Sequence, residues 1–315
     1  MSKPKQNSPV EPPAKDAGPQ RCGFIAVVGA PNAGKSTLVN ALVGAKITIV
    51  SHKVQTTRVP VRGIAIAGSS QLVFIDTPGI FAPRRRLDRA MVEAASTVAG
   101  DADMVVLLVD AQKGVSDDVG RILRQLANVN RPRVLVLNKV DRVKKEQLLA
   151  LAADLNKRLE FPATFMVSAL TGSGIEDLKN HLALNVPEGP WHFPADDLSD
   201  VPERQLAAEI TREKLYERLH QELPYSATVE TTAWQDRKDG SARIEQTIFV
   251  ERESQRSIVL GEGGRTIKDI STRARKELTA LLERPVHLFL HVKVQEGWSN
   301  DPERYRNMGL DFPKD

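Results

Sequence analysis

Cysteine is almost absent from this chain: Cys22 is the only one among 315 residues. A single thiol cannot close an internal disulfide, so a disulfide framework is excluded and a reducing compartment is implied. Cys22 has no nearby histidine in the sequence and precedes the first apolar run, so it reads as a small buried residue and not as a nucleophile. Long apolar runs are missing too. No stretch of about 18 apolar residues offers a membrane-spanning helix, and the first residues lack the apolar core of a secretory signal. These absences lead us to expect a soluble, intracellular protein. Charge of one sign is not dominant either: 44 lysines and arginines against 40 aspartates and glutamates give +4, which permits a polyanionic partner without requiring one. The six histidines are scattered. The nearest two, His287 and His291, fall on an expected strand, where a rise of about 3.3 Å per residue sets them roughly 13 Å apart, too far to share a metal ion.

What the chain does contain is enough apolar residue, 41%, to bury a sizeable core, and a length that suggests about two domains. Residues 1–20 carry five prolines and no apolar period, the composition of a disordered tail. From Phe24 onward, the runs Phe24–Val28, Leu72–Ile75, Met104–Val109, Val134–Leu137 and Thr164–Val167 are continuous and aliphatic, as strands covered on both faces are. Helical stretches alternate with them, so the fold class is α/β, a doubly wound parallel sheet over residues 21–185. The stretch 186–200 is proline-rich and reads as a linker.

A small α+β unit is expected over residues 201–298, followed by a C-terminal tail at 299–315. Leu206, Ile210, Leu215 and Leu219 lie on one face of a helix over Glu203–Glu222. Ala227–Ala233 and Ile244–Val250 form a hairpin across the turn signal Asp239-Gly240. A short helix precedes a long one, in which Ile267, Ile270, Ala274, Leu278 and Leu281 step by three and four. Val286 to Val294 then alternate as a half-buried strand.

Chemistry concentrates in five short segments. Gly29-Ala30-Pro31-Asn32-Ala33-Gly34-Lys35-Ser36-Thr37 contains the phosphate-loop pattern, directly after a strand and before a helix. Its glycines let backbone N–H groups wrap a polyphosphate at a helix N-terminus. Lys35 bridges the β and γ phosphates, and Ser36 offers a hydroxyl to magnesium. Asn138-Lys139-Val140-Asp141 sits at the carboxyl end of a strand, where ligands of such sheets bind. There the Asp141 carboxylate can accept from guanine N1–H and the 2-amino group, a donor pair that adenine lacks. Lys139 lays its stem along the base, and Ser168-Ala169 supplies a backbone N–H for guanine O6. Asp76-Thr77-Pro78-Gly79 ends another strand, with Asp76 holding magnesium through water and Gly79 near the γ-phosphate. Gln55-Thr56-Thr57-Arg58 lies between phosphate loop and DTPG, where a switch loop would bring Thr56 or Thr57 to the metal.

In this order, the five segments resemble the Era family of bacterial ribosome-assembly GTPases, and the resemblance extends over nearly the whole chain after the tail. It implies GTP hydrolysis to GDP and phosphate, with Lys35, Ser36, Thr56, Thr57, Asp76 and Gly79 as the catalytic set. Magnesium is implied at Ser36 and Thr57, and potassium beside Asn32. Ile80 stands where Ras-like enzymes carry the glutamine that orients the attacking water. Era-like GTPases share this replacement, so activity is still expected, without an assigned water-positioning group.

Leu260-Gly261-Glu262-Gly263-Gly264-Arg265-Thr266-Ile267-Lys268 fits the GxxG loop of KH domains, and the element order around it is that of the type II KH fold. Such a loop lets a sugar-phosphate backbone approach the peptide closely. Gly261, Glu262, Gly263, Gly264, Arg265 and Lys268 are the RNA-binding candidates. Residues 201–315 balance 19 basic against 20 acidic residues, yet Arg252–Lys276 holds seven basic residues against three acidic ones. A basic edge on a neutral domain suits a defined RNA strand better than indiscriminate binding. Gln295–Asp301 and Leu310-Asp311-Phe312 also resemble Era. The family resemblance implies the 3′ end of 16S ribosomal RNA and the 30S subunit as partners, a cytoplasmic monomer, and peripheral association with the inner face of the cell membrane. The competing reading is a signalling GTPase acting on protein or membrane partners, with the KH-like domain as a docking platform.

Overall fold

The computed structural model describes residues 19–53, 55–219 and 223–313. The expected disordered tail lies outside them except for Pro19 and Gln20. The described residues form two compact units: one within 19–47, 61–76 and 97–200, the other within 48–60, 77–96 and 201–313.

The first unit is built on a six-stranded sheet. Its strands are β1 (Arg21–Gly29), β2 (Val61–Ala67), β3 (Ser70–Asp76), β4 (Met104–Asp110), β5 (Arg133–Asn138) and β6 (Ala163–Met166), in the order β2-β3-β1-β4-β5-β6. β3, β1, β4, β5 and β6 run parallel; β2, an edge strand absent from the sequence reading, is antiparallel to β3. Every residue of β3 and β4 is buried, which is why these strands carry no polar alternation. The connecting helices are α1 (Lys35–Val43), α2 (Arg86–Asp101), α3 (Asp117–Leu126), α4 (Lys145–Arg158) and α5 (Ile175–Asn185). β1 is flanked by β3 on one side and β4 on the other, so the carboxyl ends of these strands open at a topological switch point.

The proline-rich stretch 186–200 is stitched to the first unit. Gln71, fully buried, accepts from the backbone N–H groups of His192 and Phe193 at 2.9 and 3.0 Å and donates to Phe193 O at 2.8 Å. The Trp191 indole donates to Ser69 O, and Ile64 N to Leu198 O. Prolines prevent a regular ladder there, so one glutamine side chain substitutes for it.

The second unit contains α6 (Glu203–Arg218), β7 (Ala227–Asp236), β8 (Ala242–Val250), α7 (Glu253–Leu260), α8 (Arg265–Leu281), β9 (Val286–Val294) and α9 (Pro302–Met308). β8 lies between antiparallel β7 and parallel β9. Leu215 and Tyr216 of α6 and Ile270 of α8 pack with Ile248 and Val250 of β8. α6 ends four residues earlier than its apolar spacing predicts, and residues 220–222 lie outside those described. The expected C-terminal tail includes a helix. Asp301 caps α9 by accepting from Glu303 N, Pro302 opens it, and Gly309 at φ 73° closes it. Tyr305, Leu310 and Trp298 form a cluster with Val59, Leu87 and Met91, which is how the segments 48–60 and 77–96 come to belong to this unit.

Candidate functional site

In the first unit the phosphate loop leaves β1 where only small residues fit. A Cβ on Gly29 would approach Leu108 O to 2.5 Å, and one on Gly34, at φ 99°, would meet the Asn138 side-chain nitrogen at 2.4 Å. Asn32 also adopts a left-handed conformation, φ 61°. No side chain caps α1, so its first N–H groups are directed at the loop's concavity. Lys35 is buried, with Nζ donating to the carbonyls of Gly29 and Ala30 at 3.2 Å. Burial pushes its pKa down to about 8, with the Asp76 carboxylate pulling in the opposite direction. An ammonium buried against carbonyls is suited to an incoming polyphosphate. Ser36 Oγ donates to Asp76 Oδ2 at 2.8 Å, and Asp76 is fully buried at the end of β3. A hydroxyl and a carboxylate side by side are the hard oxygen donors that magnesium takes.

The base-recognition segments lie at the ends of β5 and β6. Asn138 Nδ2 donates to Ala33 O at 2.8 Å, and its Oδ1 accepts from Ala169 N at 3.0 Å. The Ala169 N–H, expected to meet guanine O6, is therefore engaged by Asn138 in this structure. Lys139, at φ 65°, donates through Nζ to Asn32 O at 2.8 Å and to Asp110 Oδ2 at 2.7 Å, which lays its stem across the mouth of the site. Asp110, at the end of β4, was not among the sequence candidates: a lone acidic residue closing an apolar strand carries no motif. The Ser168 hydroxyl is the main influence holding the Asp141 carboxyl below its ordinary range, and it keeps the group ionised and oriented.

Thr56, Thr57 and Gly79 fall in the second unit, whereas the phosphate-loop and base-end residues assemble within the first. Thr56 Oγ1 donates to Lys53 O at 2.7 Å, and Thr56 O accepts from Arg212 at 2.5 Å. Ile80 is buried. Arg58, the last residue of the QTTR segment, is buried; it donates to Ala227 O and Tyr216 Oη, both at 3.0 Å, and to Pro224 O. An arginine in a polar loop reads as solvent-facing, so nothing local in the sequence marks it.

The GxxG loop joins α7 to α8. Gly261, Gly263 and Gly264 all have positive φ, 73°, 57° and 77°. A Cβ on Gly261 would come within 2.2 Å of Thr266 Oγ1, while the space around Gly263 and Gly264 is open. α8 starts without a side-chain cap, and Glu262, Arg265 and Lys268 are exposed around its N-terminus. Ile258, on α7, is more than half exposed, an apolar side chain that the sequence reading had not singled out.

Comparison with known proteins identifies the family. Residues 24–139 match the family model of 50S ribosome-binding GTPases, and residues 222–299 match that of KH domains. The chain is 64% identical to GTPase Era of Rhizobium meliloti (strain 1021) over 96% of both chains. It is 61% identical to GTPase Era of Bradyrhizobium sp. (strain BTAi1), over 95% of this chain and 98% of that one. It also resembles a crystal structure of Era in complex with MgGDPNP and nucleotides 1506–1542 of 16S ribosomal RNA: TM-score 0.86 and 36% identity, over 92% of this chain and 99% of that one. A variant of Aquifex aeolicus Era bound to GDP and AlF4⁻ gives a TM-score of 0.87 at 36% identity, with the same coverage.

Proposed function

This chain belongs to the Era family of GTPases and hydrolyses GTP, and from that premise we propose that it is a switch that binds 16S ribosomal RNA near its 3′ end through its KH domain and acts in assembly of the 30S subunit. The observation that carries the RNA half is the turn of three left-handed glycines at the uncapped start of α8, with Arg265 and Lys268 exposed beside it. A phosphodiester can approach peptide N–H groups there as no side chain would allow.

At the nucleotide, Lys35 meets the β and γ phosphates, Asp141 reads guanine N1–H and the 2-amino group, and Lys139 covers the base. The Ser36 hydroxyl beside buried Asp76 fits magnesium, and Thr57 joins that set when its loop reaches the nucleotide. Bound there, magnesium neutralises charge developing on the phosphate oxygens. Potassium beside Asn32 is the finer part of this proposal, supported by an asparagine at that position of the loop. Hydrolysis is then faster in KCl than in NaCl at equal ionic strength, and Asn32→Ala removes the difference; equal rates in both salts refute it. Ribosomal RNA as partner puts the protein in the cytoplasm, with peripheral membrane association read by fractionation.

The test is to measure GTP hydrolysis and binding of a 16S 3′-end oligonucleotide on one preparation. GTP turnover without affinity for that oligonucleotide over a scrambled one would refute the RNA assignment.

A further inference from the structure

β4 ends in Asp110, which is 6% exposed and lies directly across the β4–β5 ladder from Asn138, at the carboxyl edge of the sheet. Its two carboxylate oxygens have separate partners. Oδ1 accepts from Gln112 N at 3.0 Å, and the backbone carbonyl of Asp110 accepts from Lys113 N and Gly114 N, so the turn after β4 fixes the direction of the side chain. Oδ2 accepts from Lys139 Nζ at 2.7 Å. A buried carboxylate is costly unless a cation faces it. Among the described residues, Lys139 is the one cation within ion-pair reach of Asp110.

Lys139 depends on that contact more than Asp110 does. Its side chain is 27% exposed, so burial alone does not fix the four-carbon stem. Two contacts hold Nζ: Asp110 Oδ2 and, at 2.8 Å, Asn32 O. The Asn32 carbonyl is neutral, so the compensating charge comes from Asp110. Without it the ammonium is better solvated in water, and a lysine stem follows its head group outward. With it the stem is stretched from the end of β5 to the end of β4 before a nucleotide arrives. The entropy of a long side chain is then lost on folding and not on binding, which favours a slowly released ligand. We propose that Asp110 is a positioning residue for nucleotide retention: it does not touch guanine, but by anchoring the Lys139 ammonium it holds the lysine stem over the base. This rests on the reading of Lys139 as the cover of the base.

The experiment follows release of a fluorescent N-methylanthraniloyl-GDP from the full chain after a chase with unlabelled GDP, in a cycle of Asp110→Ala, Lys139→Ala and the double variant. Asp110→Asn is added because it is nearly isosteric and keeps an oxygen for Gln112 N, and melting of each nucleotide-free variant checks the fold. Release is expected to be at least about tenfold faster in Lys139→Ala and at least about fivefold faster in Asp110→Ala and Asp110→Asn. Adding Asp110→Ala to Lys139→Ala should quicken release by less than about twofold, because residues that act through one contact are not additive. Effects that multiply in the double variant assign Asp110 to the fold alone and overturn the proposal. Native release in both Asp110 variants, with fast release in Lys139→Ala, overturns it while leaving Lys139 at the base. Native release in Lys139→Ala removes the lysine from the base, and the proposal with it.

Discussion

Asn138 reaches back 105 residues to hold the carbonyl of Ala33 at 2.8 Å, while the same side chain accepts from Ala169. One amide thus ties the phosphate loop to both base-recognition segments. Asn138→Ala leaves two buried backbone groups unpaired, each costing about 1–3 kcal/mol. Stability of the nucleotide-free protein should drop by a few kcal/mol in urea melts, and GDP affinity should fall at least tenfold. Unchanged GDP affinity would show that the tie is incidental.

Asp141→Asn converts an acceptor pair into a group that can also donate. The xanthine carbonyl replaces the guanine 2-amino group, so the variant should prefer XTP over GTP in competition binding. Persisting GTP preference would remove Asp141 from base recognition.

Lys35 gives a pH dependence whose sign is fixed by burial. Its folded pKa of about 8 lies below the ordinary 10.5, so the unfolded chain binds more protons between those values. The destabilisation is complete below about pH 8 and disappears as pH rises toward 10.5. Polyphosphate binding restores the ammonium, so GDP binding should take up a proton above pH 8 and weaken with further rise. Calorimetry in buffers of different ionisation enthalpy reads the uptake; a Lys35→Met variant should lose it.

Glu262 and Gly263 form the middle of the GxxG loop. Glu262 already carries a carboxylate, so replacing both with aspartate adds one, at Gly263, and draws the other closer to the backbone where a phosphodiester would pass. The space at Gly263 is open, and aspartate tolerates its φ of 57° better than most residues, so the domain should still fold. RNA affinity should drop at least a hundredfold, with GDP affinity and the thermal melt nearly unchanged. Full retention of affinity for a 16S 3′-end oligonucleotide would falsify the assignment of this loop to RNA binding.

The amino-acid sequence alone determined the features whose causes are local. β1, β3, β4 and β5 announce themselves as continuous apolar runs because both faces of the sheet are covered, while β6, Ala163–Met166, is half-buried and reads from its apolar Phe165 and Met166. The phosphate loop and the GxxG turn are legible because left-handed backbone and close approach demand glycine at fixed offsets. The tertiary structure decided whatever depends on partners distant in the chain. β2 is an edge strand with a weak pattern and is defined by pairing with β3. Gln71 looks like an ordinary polar residue in a strand until His192 and Phe193 fold onto it. Asp110 matters through Lys139, 29 residues away, and Arg58 is buried only because Tyr216, Pro224 and Ala227, more than 150 residues away, furnish its acceptors. A charged side chain carries no sequence period that reports burial; its place is set by the carbonyls and rings that replace water around it, and folding alone brings those together.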